Sequence, residues 1–346
     1  MDDRPPRGQA HATLPLLERF PALARRVGHI TLARLPTPVE RLPLADADAF
    51  IKRDDLTGER YGGNKVRKLE FLLAEARARG ASRLITVGAL GSHHALATTV
   101  YGRALGFEVT VVLLPQSPTD HVREVLDAMA AHGAEVRTVR SPATVPAGVL
   151  AARIAHRRER VHVIAPGGSD QHGTLGYVNA ALELGRQHDA GELPRPAEVH
   201  VAGGTLGTAV GLSLGFALLD WPTVVVAHRI TSRAITNRTF ARRLAADTLA
   251  LLRAAAPTGR LPSPDQAIAR FRIEHGQIGR GYGFGTDAGA AAADWFAANT
   301  ALRLEATYTA KAAAGFLAAA RGVAGPLLYW HTLSSSGPAP PPTPAV

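Results

Sequence analysis

The sequence predicts an α/β protein in which a mostly parallel sheet is covered by helices on both faces. The main observation is an alternation, between residues 65 and 227, of short continuous apolar runs with longer helix-type segments. A strand that is buried on both faces has such a continuous apolar sequence. Two consecutive parallel strands must be connected by a crossover, which is usually a helix. The second observation is that 46% of the 346 residues are apolar, which is ample for a buried core. Right-handed crossovers then give an open, doubly wound architecture.

Strands and helices can be assigned in chain order from this alternation. The predicted strands are 83–89, 108–114, 135–139, 161–165, 198–202 and 223–227. The predicted helices are 65–79, 93–105, 119–132, 146–157, 174–190 and 207–219. In the first helix, apolar residues recur on one face, Asn64 is a favourable N-cap and Gly80 follows the last turn. Residues 256–265 are predicted to form a loop between helical segments.

Composition limits the classes of function. Cysteine is absent, which excludes disulfides and thiolate metal sites. No apolar run is long enough to span a bilayer and no signal peptide is evident, so a cytoplasmic location is expected. The net charge of +10 comes mainly from scattered arginines, and no nucleic-acid-binding motif accompanies it. Neither a nucleic acid nor a membrane is therefore expected as a partner. Residues 1–13 predict a disordered N-terminus, and 337–346 predict an extended proline-rich tail.

Lysine is rare in this chain. Of 39 cationic residues only four are lysine, namely Lys52, Lys65, Lys68 and Lys311. Arginine keeps its proton, whereas lysine can become a neutral amine that attacks a carbonyl. Lys65 and Lys68 follow two glycines and lie on the same side of a helix's first turn, where the helix dipole disfavours a cation. This placement favours amine chemistry, whereas Lys52 and Lys311 are expected to be structural.

Several glycine-rich turns follow predicted strands. Gly203, Gly204, Thr205, Leu206, Gly207 and Thr208 open a helix, and their amides and hydroxyls predict a phosphate site. The turn lacks both the Walker pattern and the dinucleotide pattern, and glycine there can also serve only to relieve steric crowding. A second turn ends in Ser92, His93 and His94. Ser92 is either a helix cap alone or, with nearby amides, a ligand for a substrate carboxylate.

Two further segments carry aromatic hydroxyls, and metal binding is not expected. The adjacent histidines His93 and His94 point in different directions on a helix, and no third ligand is evident, so no metal site is predicted. Tyr282 lies in a glycine-rich loop, and Tyr308 precedes a small-residue helix. Either tyrosine is equally explained as a packed aromatic residue, and spacing alone does not connect them.

Together these motifs resemble one family. Residues 50–55, 62–69, 88–94, 167–177, 202–208, 281–283 and 308–311 occur in the order seen in the 1-aminocyclopropane-1-carboxylate deaminase/D-cysteine desulfhydrase family of pyridoxal-phosphate enzymes. The resemblance covers roughly residues 15–332, and the run Gly-Asn-Lys-Val-Arg-Lys-Leu-Glu is its most specific part. It implies fold type II, which is like the tryptophan synthase β-subunit. A large cofactor domain would comprise 14–64 and 181–336, and a small domain would comprise 65–180.

The resemblance also implies roles for individual residues. Lys65 matches the lysine that holds pyridoxal 5'-phosphate as a Schiff base, and Lys68 matches a lysine near the cofactor phosphate. Residues 203–208 match the phosphate loop, and Asn64, His93 and Thr309 are expected beside the cofactor. The substrate would contact Ser92, His93 and His94. Tyr282 and Tyr308 match the two active-site tyrosines, so that Lys65, Ser92, Tyr282 and Tyr308 form the expected catalytic set. The family further implies a homodimer.

Thr309 discriminates between two activities within this family. The deaminase pattern has glutamate after the tyrosine, whereas the desulfhydrase pattern has threonine. A neutral hydroxyl makes the cofactor a weaker electron sink, which still suffices to remove an α-proton and expel a β-thiolate. D-cysteine desulfhydrase, which forms pyruvate, ammonia and sulfide, is therefore the leading hypothesis. The alternatives are the cyclopropane deaminase, a divergent cofactor-binding protein with little catalysis and, from charge alone, a nucleic-acid-binding protein.

The sequence departs from the family pattern at several positions. His93 replaces the asparagine of the Ser-Asn-His or Ser-Asn-Gln turn, and Gly91 replaces the glutamine before the serine. Asp170 replaces the asparagine after Gly-Gly-Ser, and Leu333-Ser334 replaces two glycines near the end. These changes do not affect the predicted fold, but they weaken any inference of the substrate from the family.

Overall fold

Two separate sheets organise the chain in a computed structural model, which describes residues 14–335 and residue 337. The predictions for residues 1–13 and for the tail after residue 337 lie outside this described part. The helices are α1 (Pro15–Arg19), α2 (Pro21–Val27), α3 (Lys65–Ala78), α4 (His93–Ala104), α5 (Asp120–Ala131), α6 (Val145–Ala155), α7 (Gln171–Asp189), α8 (Gly207–Leu218), α9 (Arg238–Ala255), α10 (Pro264–Ala267), α11 (Asp287–Thr300) and α12 (Thr309–Ala319). The strands are β1 (Val39–Arg41), β2 (Ala49–Arg53), β3 (Arg83–Ala89), β4 (Glu108–Leu114), β5 (Glu135–Thr138), β6 (Val161–Ile164), β7 (Glu198–Gly203), β8 (Val224–Arg229), β9 (Phe271–Glu274) and β10 (Leu327–His331).

The strand order confirms the predicted α/β class. The smaller sheet has the order β5-β4-β3-β6, and all of its pairs are parallel. The larger sheet has the order β1-β2-β10-β7-β8-β9 and is parallel apart from the β1–β2 pair. In the larger sheet, β2 and β10 pair although they come from opposite ends of the chain, with Ala49 beside Leu327.

The predicted elements between residues 65 and 229 are all present, with ends that differ by only a few residues. The strands of the smaller sheet all lie within 83–164, and those of the larger sheet lie within 39–53 and 198–331. The predicted domain boundary at residue 180 falls inside the continuous helix α7, which packs against both α3 and α8. The exact domain boundaries therefore stay a prediction.

Helices α7 and α8 pack very closely because glycine lies at their contact. A Cβ atom added to Gly211 would lie 2.5 Å from the Cβ of Tyr177 and 2.7 Å from the carbonyl oxygen of Thr174. Any larger residue would push the helices apart. This close packing fixes the start of α8, which follows β7 at one wall of the cavity described below.

A buried ion network, formed by Lys52, Asp54, Arg67 and Glu183, holds α3 in place. Lys52 Nζ lies 2.7 Å from Glu183 Oε1, and Arg67 bridges Asp54 and Glu183 at 2.7 and 2.8 Å. All four side chains are almost completely buried. Two cations balance two carboxylates, so neither sign of charge is left without a partner. Because Arg67 lies between Lys65 and Lys68 in α3, the network also fixes the helix that carries both lysines.

Candidate active site

One cavity of about 600 Å³ lies where strands of both sheets end, as expected for an α/β protein. Its wall includes residues at or just after the ends of β3, β4, β7 and β10, namely Ala89, Leu114, Ala202 and Thr332. The predicted site residues that line it are Asn64, Lys65, Lys68, Ser92, His93, His94, Gly204, Thr205, Leu206, Gly207, Thr208, Tyr282, Tyr308 and Thr309. Another cavity, of about 630 Å³, is lined by Trp221, Arg260 and other residues and contains none of the predicted site residues.

Gly203 is the one predicted site residue that does not line the cavity. It ends β7, and a Cβ added there would lie 3.1 Å from the Cβ of Ala227 on the neighbouring strand β8. Its small size therefore allows the two strands to approach each other. This is the steric role that the sequence left open for glycine in this turn.

Lys65 is the first residue of α3, and its amine is held beside Asn64. Lys65 Nζ donates a hydrogen bond to Asn64 Oδ1 at 2.9 Å, and Asn64 Nδ2 donates to Thr208 Oγ1 at 3.0 Å. Burial lowers the pKa of Lys65 to about 8. The sequence attributed a lowered pKa to the helix dipole, but desolvation is the cause that dominates here. At pH 7 roughly a tenth of the amine is then neutral and nucleophilic, against well under a thousandth at the usual lysine pKa.

Asn64 corrects one local prediction. It precedes α3 as expected, but its backbone is helical, with φ −64° and ψ −15°, and its side chain makes no capping hydrogen bond. A capping residue needs an extended backbone to turn its oxygen back to the helix amides. The amide of Asn64 instead connects Lys65 to Thr208, and so joins α3 to the start of α8.

Lys68 and Ser169 face the start of α8. Lys68 Nζ donates to the carbonyl oxygen of Gly167 at 3.0 Å and to Ser169 Oγ at 3.2 Å. A Cβ added to Gly207 would lie 2.8 Å from Lys68 Nζ and 2.6 Å from Ser169 Oγ. A side chain at this position would displace Lys68 Nζ and Ser169 Oγ, so the glycine lets an amine, a hydroxyl and helix-start amides converge there. This donor set fits a phosphate group.

The charge of Lys68 is costly in this surrounding. Burial first, and then the neighbouring Lys65, hold the pKa of Lys68 well below its usual range. A bound dianion would reverse this effect by favouring the ammonium. In the same turn, Leu206 has a φ of +61°, which is strained for a residue with a side chain. A strained backbone and a lysine with a strongly lowered pKa at one place are typical of a ligand site.

Ser92 caps a helix, which is one of the two roles that the sequence allowed for it. Its Oγ accepts a hydrogen bond from the amide of Ala95 at 3.2 Å, at the start of α4. The hydroxyl proton remains available to donate into the cavity, which Ser92 also lines. The capping role is therefore compatible with the other predicted role of Ser92, as a ligand for a substrate carboxylate.

The two histidines after Ser92 point in different directions, as the helix geometry predicts. His93 Nδ1 lies 2.5 Å from the hydroxyl of Tyr61, and its ring lies 4.9 Å from that of His121. His94 Nε2 lies 2.9 Å from the hydroxyl of Thr86. Burial, above all, lowers the pKa of His93 to about 3 and holds that of His94 well below its usual range. Both rings are therefore neutral.

The fold brings together the two tyrosines that spacing could not connect. The hydroxyls of Tyr282 and Tyr308 lie 2.5 Å apart, and their rings meet edge to face. Burial raises the pKa of Tyr282 to about 12 and holds that of Tyr308 well above its usual value, so both phenols keep their protons. Lys311 contributes to this arrangement, because its amine donates to the carbonyl oxygens of Ile278 and Gly281 beside Tyr282.

Glu305 fixes the turn that carries Tyr308 and Thr309. Its carboxylate accepts hydrogen bonds from the amides of Thr307, Tyr308 and Thr309 at 2.7, 2.5 and 2.8 Å. In return, Thr309 Oγ1 accepts from the amide of Glu305 at 2.8 Å. Burial raises the pKa of Glu305, although the three amides oppose that shift. A carboxyl group therefore lies at the cavity wall, but it is committed to the turn.

The sequence analysis did not predict three residues at this site. Tyr61 and Glu305 line the cavity, and Ser169 is one of the donors around Gly207. Ser169 lay inside a motif quoted for the family resemblance, so the serine after Gly-Gly was an available signal. Tyr61 precedes the two glycines before Lys65, and Glu305 begins the segment that contains Tyr308. Neither shows a pattern of its own, because their roles arise from contacts with distant or turn residues.

Comparison with known proteins shows which family this chain is similar to. Residues 30–332 match the family model described as pyridoxal-phosphate dependent enzyme. Nocardicin C-9' epimerase of Nocardia uniformis subsp. tsuyamanensis is 34% identical over 328 residues, which cover 91% of this chain and 96% of the relative. D-cysteine desulfhydrase of Salmonella paratyphi A is 34% identical over 336 residues, which cover 91% of this chain and 94% of the relative.

Solved structures show the same architecture. The structure titled as an ACC deaminase homologue has a TM-score of 0.77 and 28% identity, and the match covers 93% of this chain and 95% of that one. Threonine deaminase isoform 2 from Solanum lycopersicum has a TM-score of 0.61 and 16% identity, over 96% of this chain and 87% of that one. The fold is therefore that of fold type II enzymes, as predicted.

Proposed function

The chain belongs to the pyridoxal-phosphate-dependent enzymes of the ACC deaminase and D-cysteine desulfhydrase type, and we propose that it eliminates a β-substituent from a small amino acid, most like D-cysteine desulfhydrase. The observation that carries this proposal is one cavity that brings together three features: a partly buried lysine with a pKa of about 8, a set of donors that fits a phosphate group, and a pair of tyrosine hydroxyls.

The residues at the cavity fit pyridoxal phosphate. Lys65 would hold its carbonyl carbon, and Lys68, Ser169 and residues 204–208 would hold its phosphate. This assignment rests on the donors that converge where Gly207 leaves room for them. When bound, the cofactor supplies an electron sink that stabilises negative charge at the α-carbon of an amino acid.

The chain's own residues would orient the substrate and move its protons. Ser92 donates to the substrate carboxylate, assisted by amides at the start of α4. The amine of Lys65 takes the α-proton, and a pKa near the working pH suits this exchange. The tyrosine pair holds a proton at the 2.5 Å contact and delivers it to the departing sulfur.

The overall reaction balances with one water molecule. The C–S bond breaks and sulfide leaves with a proton. Water then replaces nitrogen at the α-carbon, so that D-cysteine and water give pyruvate, ammonia and hydrogen sulfide. No oxidant is needed.

Thr309 supports elimination over opening of a cyclopropane ring. Its side chain is a neutral hydroxyl that accepts from the amide of Glu305, and no carboxylate occupies position 309. Glu305 itself is bound by three backbone amides. The cyclopropane deaminase reaction thus lacks the glutamate that the resemblance assigns to it.

Epimerisation at an α-carbon is the second candidate. One of the relatives is a nocardicin epimerase at 34% identity. Epimerisation and elimination both begin with loss of the α-proton, and they differ in whether a leaving group departs. The cavity of about 600 Å³ also reaches Arg140 and Ser141, which would accommodate more than a small amino acid.

An assay of cofactor-loaded protein across D- and L-amino acids tests the proposal. We expect pyruvate and sulfide from D-cysteine, and loss of both products in Lys65→Ala. Release of 2-oxobutyrate from 1-aminocyclopropane-1-carboxylate would instead support the deaminase. Inversion of substrate configuration without keto acid would support the epimerase. If no amino acid in the panel gives a keto acid or an epimer, the proposed activity is wrong and a binding role remains.

Assembly and location stay predictions. Among the described residues, no helix is both long and apolar enough to cross a membrane. We predict a homodimer and a cytoplasmic enzyme, and sedimentation of the cofactor-loaded protein would test the former.

A further inference from the structure

The cavity extends beyond the cofactor residues, along the ends of three neighbouring strands of the smaller sheet. Ser92 follows β3, Leu114 ends β4 and Arg140 follows β5, and all three residues line the cavity. The proposed reaction uses Ser92 but assigns no contact to Leu114 or Arg140. This part of the wall is therefore available to bind the side chain of the substrate.

The pairing of these strands sets the distance along this part of the wall. Ala89 on β3 lies beside Leu114 on β4, and Leu113 lies beside Thr138 on β5. The three strands therefore end at nearly the same level of the sheet. Neighbouring strands are about 4.8 Å apart, so the ends of β3 and β5 lie roughly 10 Å apart. Cysteine, whose side chain ends at the sulfur atom, does not extend over this distance when its carboxylate is held at Ser92.

Arg140 is a cation whose side chain has no partner in the described part of the chain. It is exposed, and no described residue makes a hydrogen bond or an ion pair with its guanidinium. Arg137, three residues earlier, instead pairs with Glu135 at 2.7 Å. In the proposed function the amines of Lys65 and Lys68 are assigned to the cofactor. Arg140 thus remains at the cavity as a cation without an assigned anion, and a guanidinium binds a carboxylate through two parallel hydrogen bonds.

Apolar side chains accompany this cation on the cavity wall. Leu114 lies between Ser92 and Arg140 in the order of the strands. Pro142 and Val145, which follow Arg140 in the chain, also line the cavity. Such a wall packs against methylene groups, while its few polar groups fix the orientation of a ligand. Along the sheet, the order is therefore a carboxylate ligand, an apolar surface and a cation.

We propose that the preferred substrate carries a second carboxylate at the end of its side chain and that Arg140 binds it. The inference rests on the proposed function for the position of the amino acid, with its α-carboxylate at Ser92. A β-substituent with a sulfur atom, a short methylene chain and a terminal carboxylate fits this wall, and D-cysteine is then the poorer substrate.

The corresponding elimination balances with one water molecule. In S-(2-carboxyethyl)-D-cysteine the bond between the β-carbon and sulfur breaks, and the thiolate takes a proton and leaves as 3-mercaptopropionate. Water then replaces nitrogen at the α-carbon, so that the other products are pyruvate and ammonia. No oxidant or reductant is needed.

Two substrates that differ only in their terminal charge test the role of Arg140. S-(2-carboxyethyl)-D-cysteine and its neutral terminal amide have the same length and the same leaving atom. We expect kcat/KM for pyruvate release to be at least about fivefold higher for the carboxylate, because one charge-assisted contact forms at an exposed site. Added salt should reduce this preference. Arg140→Met should bring the ratio to about one by lowering only the value for the carboxylate.

Binding without turnover separates this inference from the proposed reaction. In 2-aminopimelate a methylene replaces the sulfur, so the side chain cannot leave. Its affinity for the cofactor-loaded protein is measured by calorimetry against its terminal amide, with each ligand in its D and L forms. We expect the same preference for the carboxylate and its loss in Arg140→Met. If this preference is found but neither thioether gives pyruvate, the proposed elimination is wrong and the substrate class stands.

Arg157→Met is the matched control. Arg157 follows α6, is exposed and lies outside the cavity wall, so its replacement removes the same charge without touching the substrate. It should keep the full preference for the carboxylate. The proposal is overturned if the original protein binds neither form of 2-aminopimelate or binds carboxylate and amide equally. It is also overturned if Arg140→Met keeps the preference, or if Arg157→Met loses it to the same extent.

Discussion

Lys52 is fully buried and Lys65 is partly buried at the cavity wall, and the surroundings of their two amines differ in kind. Lys52 Nζ lies 2.7 Å from the carboxylate of Glu183 and 2.6 Å from the carbonyl oxygen of Thr37, within a network of balanced charge. Lys65 Nζ has a neutral amide oxygen as its partner. Burial lowers the pKa of both amines, but at Lys52 the carboxylates of Glu183 and Asp54 oppose the shift.

The difference shows how one residue type serves stability in one region and chemistry in another. A buried ammonium beside carboxylates is stabilised as a charge, and removing one partner leaves another charge uncompensated. A buried amine without a counter-ion is destabilised as a charge and so becomes reactive. Near Lys65 the folded protein is therefore expected to be less stable than it would be with an apolar residue, in exchange for the amine that we propose as catalytic.

Lys65→Ala should have the largest effect on function. We expect turnover to fall by more than about 10³-fold, since in the proposed function this amine both holds the cofactor and exchanges the α-proton. The free energy of unfolding of the cofactor-free variant should be unchanged or higher at neutral pH, because an uncompensated buried amine is removed. Steady-state assays and urea unfolding measure the two quantities. A large loss of stability would contradict the distinction between the two lysines.

Lys52→Met should show the opposite pattern. The replacement leaves the carboxylate of Glu183 buried with one cation fewer, so we expect a loss of about 3–5 kcal/mol in the free energy of unfolding. The folded fraction should still bind pyridoxal phosphate, as measured by its visible absorbance, and should keep its turnover. If stability is unchanged while turnover is lost, Lys52 takes part in the chemistry and our structural assignment of it is wrong.

Much of this organisation could be predicted from the sequence. The elements from residue 65 to residue 229 follow from apolar runs of strand length between helices, because strands buried on both faces carry that pattern. Lys65 was predicted from its place after two glycines and from the scarcity of lysine. The edges of the larger sheet could not be predicted in this way. Strand β2 contains Lys52 and Arg53, and it pairs with β10 from the far end of the chain.

Contacts between distant segments account for the remaining differences. Tyr282 and Tyr308 meet only once the loop after β9 folds onto the start of α12, with Lys311 holding that loop. Asn64 favours capping by residue type, but the contact with Thr208 on α8 decides its conformation. Local propensity predicts such residues correctly as polar and turn-forming, whereas their partners depend on the tertiary fold.

The account predicts that Lys65 is the reactive amine of this chain, and pH-dependent labelling tests that claim most directly. Cofactor-free protein would be treated with a small amine-acylating reagent across a range of pH, and each lysine would be followed by peptide mass spectrometry. With a folded pKa of about 8 against 10.5 for an unperturbed lysine, the cost of burying the ammonium is present below pH 8 and disappears as pH rises towards 10.5.

Labelling of Lys65 should therefore rise with a midpoint near pH 8 and then level off. Bound pyridoxal phosphate should prevent it, and Lys52, which is fully buried in its ion network, should stay unlabelled throughout. A midpoint for Lys65 near 10.5, or labelling of Lys52 in parallel with it, would contradict the account.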